Sequence, residues 1–214
     1  MALKFSSIQA LGRALMLPIA MLPVAGLLLR FGQPDLLNIQ AIADAGNAIF
    51  ANLPLLFAIG VAVGFAKDNN GASGLAGAVG YLILVAMLKS INKDIDSGVL
   101  GGILIGSIAG VLYNKYEDIK LPEFLAFFGG KRFIPIATGI SAVILGIAMG
   151  YVWPPIQNGL HSFSQWMAES GEVGMFIYGL FNRLLLVTGL HHVLNSLFWF
   201  QLGDFTNAQG VVVH

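Results

Sequence analysis

The sequence contains no cysteine, and only 10% of its 214 residues are charged. Without a thiol, the chain cannot form a disulfide, bind a metal through thiolates or carry a phosphoryl group on cysteine. Soluble domains carry about 25% charged residues, so the low charge excludes that class. The formal net charge is zero, so the charge balance does not indicate a nucleic-acid partner either.

Apolar residues make up 57% of the chain, and 27 residues are glycine. This composition predicts an all-α polytopic membrane protein with about six to seven apolar helical segments. Two shorter stretches, 36–46 and the amphipathic 156–172, are interpreted as interfacial helices, the second alternatively as a long connector. The predicted spans are residues 14–29, 49–66, 74–88, 99–113, 134–152 (closed by Trp153-Pro154-Pro155), 173–187 and 190–202.

Glycines recur at intervals of four residues in two of these spans. Such spacing leaves one helix face without side chains, so that a neighbouring helix can approach closely. We therefore predict close packing, within or between subunits, along two rows: Gly60 with Gly64, and Gly98, Gly102, Gly106 and Gly110.

The distribution of Lys and Arg predicts a cytoplasmic N-terminus, because cytoplasmic loops are enriched in these residues. With that orientation, seven cations lie on the inner side: Lys4, Arg13, Lys67, Lys115, Lys120, Lys131 and Arg132. Only Arg30, Lys89 and Lys93 lie on the outer side.

The late apolar stretch 181–201 contains Arg183, His191 and His192. A guanidinium in an apolar segment is costly and usually faces a cavity or a partner. Its planar donors suit phosphate or sugar hydroxyls, and imidazoles titrate near neutral pH. On a straight helix, Arg183 and His191 would lie about 80° and two turns apart, and a break at Gly189 could bring them closer. These features predict a polar site for an anionic or polyhydroxylated ligand. The alternative is Arg183 snorkelling to an interface.

Two other polar features permit both a structural and a functional interpretation. Asp68 lies in a polar turn, where it is most simply part of a helix cap, although its carboxylate could bond a sugar hydroxyl. Lys131 and Arg132 follow two glycines and are either an inner-face anchor or a basic loop for a phosphorylated partner. His191 and His192 point in different directions on a helix, so no metal is expected there, and no cofactor is predicted.

Five longer stretches carry a more specific signal, from about Leu17 to the end of the chain. They read LPIAMLPVAGLLLRFGQPDLLN, LFAIGVAVGFAKDNNGASGLAGAVGYL, IKLPEFLAFFGGKRFIPI, GYVWPPIQNGL and FNRLLLVTGLHHVLNSLFWFQLG. They resemble the membrane component IIC of the glucose-type phosphoenolpyruvate-dependent sugar phosphotransferase system, closest to its N-acetylglucosamine-specific branch. The resemblance implies a homodimeric permease in the bacterial inner (cytoplasmic) membrane.

The resemblance also implies group translocation, in which a phosphocysteine on the IIB domain phosphorylates the 6-hydroxyl of the incoming sugar. The implied partners are the sugar, phosphorylated IIB, a second copy and the lipid bilayer. Arg183 and His191 correspond to the catalytic pair, where a cation offsets phosphate charge and an imidazole assists proton movement. The resemblance also implies that Lys131 and Arg132 lie in a loop that meets the phosphorylated partner, with Lys131 as its functional residue. The implied sugar-binding residues are Asn182, Arg183, Thr188, His191 and His192, to which Asp68 is added from its chemistry.

The chain departs from the resembled family in three ways. It lacks a GITEP-type motif, the IIB cysteine and a recognisable IIA domain. We therefore expect a truncated IIC fold, inactive by itself, although the full-length family is a sugar phosphotransferase. Residues 1–153 would form the scaffold and dimerisation half, and 154–214 a connector and the start of the substrate-binding part. The alternatives are a non-catalytic scaffold that only dimerises with full-length subunits, and an unrelated membrane-embedded phosphotransferase.

Overall fold

The computed structural model describes residues 5–170, together with 173–174, 176–177, 179–180, 183, 205–206 and 212–213. Within residues 5–170, the chain forms seven α-helices and two short 3₁₀ helices. The helices are α1 (Phe5–Ile19), α2 (Leu22–Gly32), α3 (Gln40–Ala51), α4 (Leu53–Phe65), α5 (Gly71–Ile91), α6 (Gly98–Tyr116), the 3₁₀ helices Glu123–Phe128 and Gly130–Arg132, and α7 (Phe133–Glu169).

A short β-pairing near the end of the chain is a small departure from the predicted all-α class. Strand β1 (Phe205–Thr206) pairs antiparallel with β2 (Val212–Val213). Each strand has two residues, so the architecture of the described chain remains helical.

Four helical stretches of the described chain are long and apolar enough to cross a membrane. They are consistent with the predicted membrane class, and four of the predicted spans lie within them. The predicted sixth segment, 173–187, is described only at seven separate positions, all helical, and the seventh, 190–202, lies outside the described residues. The four stretches are Ala10–Gly32, Gly71–Ile91, Gly98–Tyr116 and Gly130–Gly159.

The predicted second span, 49–66, contains a helix break. It is divided between α3 and α4, which meet at a bend of 56° around Asn52. Pro54 lies in the first turn of α4, where its missing N–H is harmless, and the break itself is at Asn52, which has φ −105° and ψ 12°. The Asn52 side chain donates to the Ala48 carbonyl at 2.8 Å and so helps to satisfy the end of α3. Helix α3 also replaces the short interfacial helix predicted over 36–46.

The predicted closure of the fifth span by Trp153-Pro154-Pro155 is wrong as a helix end, because α7 continues through both prolines to Glu169. A helix of 37 residues is about 55 Å long and exceeds the roughly 30 Å apolar thickness of a bilayer. Trp153 is buried, and its indole N–H donates to the Asp96 carbonyl at 2.8 Å. These contacts hold the middle of α7 against the α5–α6 connection.

The glycine rows pack within the subunit, which confirms one of the two predicted possibilities. A β-carbon added at Gly106 of α6 would lie 2.6 Å from the Ala58 carbonyl oxygen of α4. One added at Gly64 of α4 would lie 2.6 Å from the Cα atom of Ala14 in α1. Such separations are well inside van der Waals contact, so the backbones of these helices approach each other directly.

Helix α4 is central to the described bundle. It packs against α1, α5 and α6, while α7 packs along α5 and also contacts α6. The apolar core includes Phe57 and Val61 of α4 and Ile105 of α6, all fully buried. This arrangement brings the ends of α4 and α6 beside the beginnings of α5 and α7, at one end of the bundle.

Candidate functional site

A polar cluster occupies the end of the bundle at which α4 and α6 finish. We call Asp68, Tyr113 and Lys131 the Asp68 cluster. The Oδ2 atom of Asp68 accepts hydrogen bonds from the Tyr113 hydroxyl at 2.8 Å and from the Lys131 ammonium at 3.0 Å. The same ammonium lies 5.5 Å from the centre of the Tyr113 ring. One carboxylate therefore joins three segments that are distant in sequence: the α4–α5 turn, the end of α6 and the start of α7.

Tyr113 is the member of the cluster that the sequence did not indicate. Its side chain is fully buried, and its hydroxyl is the polar tip of an otherwise apolar helix face. A buried tyrosine hydroxyl usually finds a hydrogen-bond partner, and Asp68 is that partner here. An aromatic ring under an ammonium group also favours the cation electrostatically. Tyr113 thus helps to hold both the Asp68 carboxylate and the Lys131 ammonium in position.

The turn that carries Asp68 is held by Asn114 of α6. The Asn114 amide donates to the Phe65 carbonyl at 2.7 Å and accepts from the Lys67 backbone N–H at 2.8 Å. The first bond satisfies a terminal carbonyl of α4 that has no partner inside the helix, and the second holds the backbone of the turn that follows. The Lys67 ammonium also pairs with the Glu117 carboxylate, whose side chain is nearly buried. The end of α6 therefore positions the turn, through the Asn114 amide and through the carboxylate of Glu117, which follows the helix.

The rest of the turn leads directly into α5. Asn69 has a φ of 50°, a left-handed conformation that asparagine tolerates better than most residues. The Asn70 side chain then caps α5 by accepting from the Ala72 N–H at 3.0 Å. The predicted capping role in this turn thus belongs to Asn70, and Asp68 is left to bond Tyr113 and Lys131.

Lys131 and Arg132 diverge, although they are adjacent in sequence. Gly130 has a φ of 63°, which favours glycine, and its N–H donates to the Ile119 carbonyl at 2.9 Å. Lys131 reaches Asp68, whereas the Arg132 guanidinium donates to the Phe127 carbonyl at 3.2 Å and lies 4.7 Å from the Phe127 ring centre. The structure therefore brings Asp68 and Lys131 together and leaves Arg132 outside the cluster.

The charges of this cluster define its chemistry. The Tyr113 hydroxyl, and after it Lys131, stabilise the Asp68 carboxylate and lower its pKa. The side chain of Lys131 is 45% exposed, and an ammonium group has three donors. A negatively charged group arriving from outside could therefore bond Lys131 without breaking its contact with Asp68. The cluster can hold a cation in place and present it to an anion.

The lowered pKa of Asp68 predicts the pH window of its contribution to stability. A carboxyl group with a depressed folded-state pKa stabilises the fold above its unfolded pKa, about 3.9, and loses that effect as the pH falls further. We expect the difference in melting temperature between the wild type and Asp68→Asn to be constant from about pH 5 to 8 and to shrink below about pH 4. Circular dichroism in detergent measures it, and a difference that disappears near pH 6 would contradict the assigned contacts.

A second prediction concerns the Asn114 bonds. Asn114→Ala removes both hydrogen bonds to the α4 terminus and should lower the free energy of unfolding by about 1–2 kcal/mol. Denaturant unfolding in detergent micelles tests this. Asn47→Ala is the matched control, since Asn47 is an exposed residue of α3. Equal stability of the two variants would show that Asn114 does not hold the turn.

The remaining predicted site residues are described only in part. Arg183 is helical and exposed. Asn182, Thr188, His191 and His192 lie outside the described residues. In the part of the chain that the structure describes, no group of three or more His, Asp or Glu side chains is arranged to hold a metal ion.

Comparison with known families decides what kind of membrane protein this is. Residues 12–213 match the family described as phosphotransferase system, EIIC. The chain belongs to this family. The resemblance inferred from the motifs is confirmed, and the helical membrane architecture agrees with it.

Three curated relatives show which members of the EIIC family this chain is similar to. It is 59% identical over 206 residues to the N-acetylglucosamine-specific EIICBA component of Escherichia coli (strain K12), covering 96% of this chain and 32% of the relative. It is 52% identical to the N-acetylglucosamine-specific EIICB component of Bacillus subtilis (strain 168), covering 96% and 45%. It is 48% identical to the glucosamine-specific EIICBA component of the same organism, covering 95% and 34%. The chain thus spans a third to under a half of the length of these relatives.

Proposed function

We propose that this EIIC chain belongs to a permease that moves N-acetylglucosamine across the bacterial inner membrane, coupled to phosphorylation of the sugar by IIB. The main support for this proposal is the 59% identity, over 96% of the chain, to a component named for that sugar. The relative named for glucosamine has lower identity, so N-acetylglucosamine is the preferred substrate. The partner is a phosphorylated IIB domain or protein, and the working unit is a homodimer.

The proposed sugar site centres on Arg183 and His191. Arg183 is an exposed helical residue in an apolar segment, and a charge in such a place is retained where it faces a ligand, a partner or water. Its guanidinium offsets the negative charge that develops on the transferred phosphoryl group, and His191 accepts the proton of the sugar hydroxyl. The proposed additional sugar contacts are Asn182, Thr188 and His192.

The Asp68 cluster is proposed to present Lys131 to the phosphorylated partner. A cytoplasmic N-terminus puts this end of the bundle on the side where a soluble phosphoryl donor is found. The Lys131 side chain is nearly half exposed, and its ammonium contacts Asp68 and Tyr113. Asp68 already accepts two strong hydrogen bonds, so we assign it to positioning Lys131 in preference to binding sugar.

Two measurements test the proposed function. The first is calorimetric binding of N-acetylglucosamine to the purified chain in detergent, with glucosamine and glucose as competitors. The second uses a chimaera in which this chain replaces the matching 206 residues of the Escherichia coli relative. Phosphoenolpyruvate-dependent phosphorylation of N-acetylglucosamine in membranes carrying the chimaera would support the proposal. A folded but inactive chimaera would refute it, and a dimeric chain without sugar binding would favour the scaffold role.

A further inference from the structure

An aromatic segment lies exposed between two membrane-spanning helices. The 3₁₀ helix Glu123–Phe128 connects the end of α6 to the start of α7. None of its six residues is buried, and the rings of Phe124 and Phe127 are 83% and 69% exposed. Phe128 is 43% exposed, so three neighbouring aromatic residues expose much of their apolar surface. Large apolar groups concentrated in this way usually mark a surface that contacts another phase or molecule.

The position of this segment indicates which phase covers it. The helices on either side of it are both candidate membrane spans, Gly98–Tyr116 and Gly130–Gly159. A connection between the ends of two adjacent spans lies near the boundary between lipid and water. Phenylalanine rings are favoured on the lipid side of that boundary, whereas charged side chains are favoured on the water side.

The backbone sets the depth to which the segment can enter the bilayer. Its turns are closed by short-range bonds, from the Leu125 N–H to the Pro122 carbonyl at 2.8 Å and from the Gly129 N–H to the Ala126 carbonyl at 3.1 Å. A single 3₁₀ segment leaves other backbone groups to bond with water or lipid headgroups, and such groups are not tolerated in the hydrocarbon centre. The segment therefore suits the headgroup region and no deeper layer.

Cations flank the aromatic rings. Lys120 is exposed just before the segment, and Arg132 follows it with its guanidinium 4.7 Å from the centre of the Phe127 ring. Arg132 is also anchored to the Phe127 carbonyl, so the cation and the ring form one unit. Aromatic rings flanked by cations are complementary to a membrane leaflet that contains anionic phospholipid.

We propose that residues 123–128 are an interfacial anchor, in which Phe124, Phe127 and Phe128 enter the headgroup region of an anionic leaflet while Lys120 and Arg132 contact lipid phosphates. The anchor would hold the connection between α6 and α7 at a fixed height, and with it the Lys131 end of the Asp68 cluster. This inference depends on the membrane class of the chain and is independent of the proposed substrate.

The absence of cysteine allows a direct test, because a single introduced thiol can be labelled without removing any other. Phe124→Cys and Phe127→Cys would each be labelled with a nitroxide and reconstituted into bilayers of phosphatidylethanolamine and phosphatidylglycerol. Electron paramagnetic resonance then compares collisions with apolar oxygen and with a water-soluble nickel chelate. Asp118→Cys is the matched control, since it is exposed in the same connection.

We expect oxygen collisions to dominate at 124 and 127 and nickel collisions to dominate at 118. In anionic bilayers, Lys120→Gln should lower the ratio of oxygen to nickel collisions at position 124 by about fivefold. In neutral phosphatidylcholine the same substitution should leave that ratio unchanged. Equal access of nickel to all three positions would overturn the proposal. So would protection of position 124 only after a phosphorylated IIB protein is added, since that result would identify the segment as a protein-docking surface.

Discussion

Arg183→Ala in the chimaera is expected to reduce N-acetylglucosamine phosphorylation by about 100-fold or more. Removing one preorganised donor from a site where negative charge develops typically costs a factor of about 10² to 10³ in rate. Arg183→Lys should recover part of the activity, because lysine keeps the positive charge and loses the planar fork that can bond two oxygens at once. Initial rates with membrane vesicles, phosphoenolpyruvate and radiolabelled sugar measure all three proteins.

The control for this prediction is Arg13→Ala. Arg13 is an exposed residue of α1, and its loss should change phosphorylation little. If Arg183→Ala raised KM for the sugar and left kcat unchanged, Arg183 would bind the sugar equally in the ground state and the transition state. It would then have no role in phosphoryl transfer. Full activity of Arg183→Ala would remove Arg183 from the site and favour the alternative that it snorkels to the membrane surface.

The spans were predictable because each is a long run of apolar residues, which no other protein class contains in this number. Two of the departures from the predicted helices lie beside prolines. Proline was expected to end the fifth span at Pro154 and Pro155, whereas Trp153 and Gln157 bond to the α5–α6 connection and hold α7 together. Pro54 lies just after the bend between α3 and α4, in a stretch that the apolar pattern predicts as one span. The effect of a proline depends on neighbours that are distant in sequence.

The Asp68 cluster was predictable only as separate residues. Asp68 and Lys131 were both identified as polar positions with possible roles, but 63 residues separate them and no local pattern pairs them. Tyr113 gave no signal, because a tyrosine near the end of an apolar helix is typical of any membrane interface. Tyr113 reaches Asp68 because α6 packs closely against α4. That packing depends on glycines, and glycine spacing does not identify which helix they contact.

The glycine contacts of α4 lead to the largest expected effect on stability. Gly106→Ala would place a β-carbon 2.6 Å from the Ala58 carbonyl oxygen and 3.0 Å from the Val61 Cβ atom. Helix α6 would have to move away from α4, and overpacking of this kind costs about 1–3 kcal/mol. Gly77→Ala in α5 would meet the same Ala58 oxygen at 2.5 Å, so it should destabilise the bundle similarly through a different helix pair.

Gly26→Ala is the matched control, because a β-carbon there would have no atom within 4 Å. Replacing an unrestricted helical glycine by alanine stabilises a helix by about 0.5–1 kcal/mol. The same substitution is therefore expected to have opposite signs at positions 26 and 106, and denaturant unfolding in detergent micelles measures both. If Gly106→Ala were as stable as Gly26→Ala, the close approach of α4 and α6 would be incorrect. The positions assigned to Tyr113 and Asn114, which depend on that approach, would then be incorrect as well.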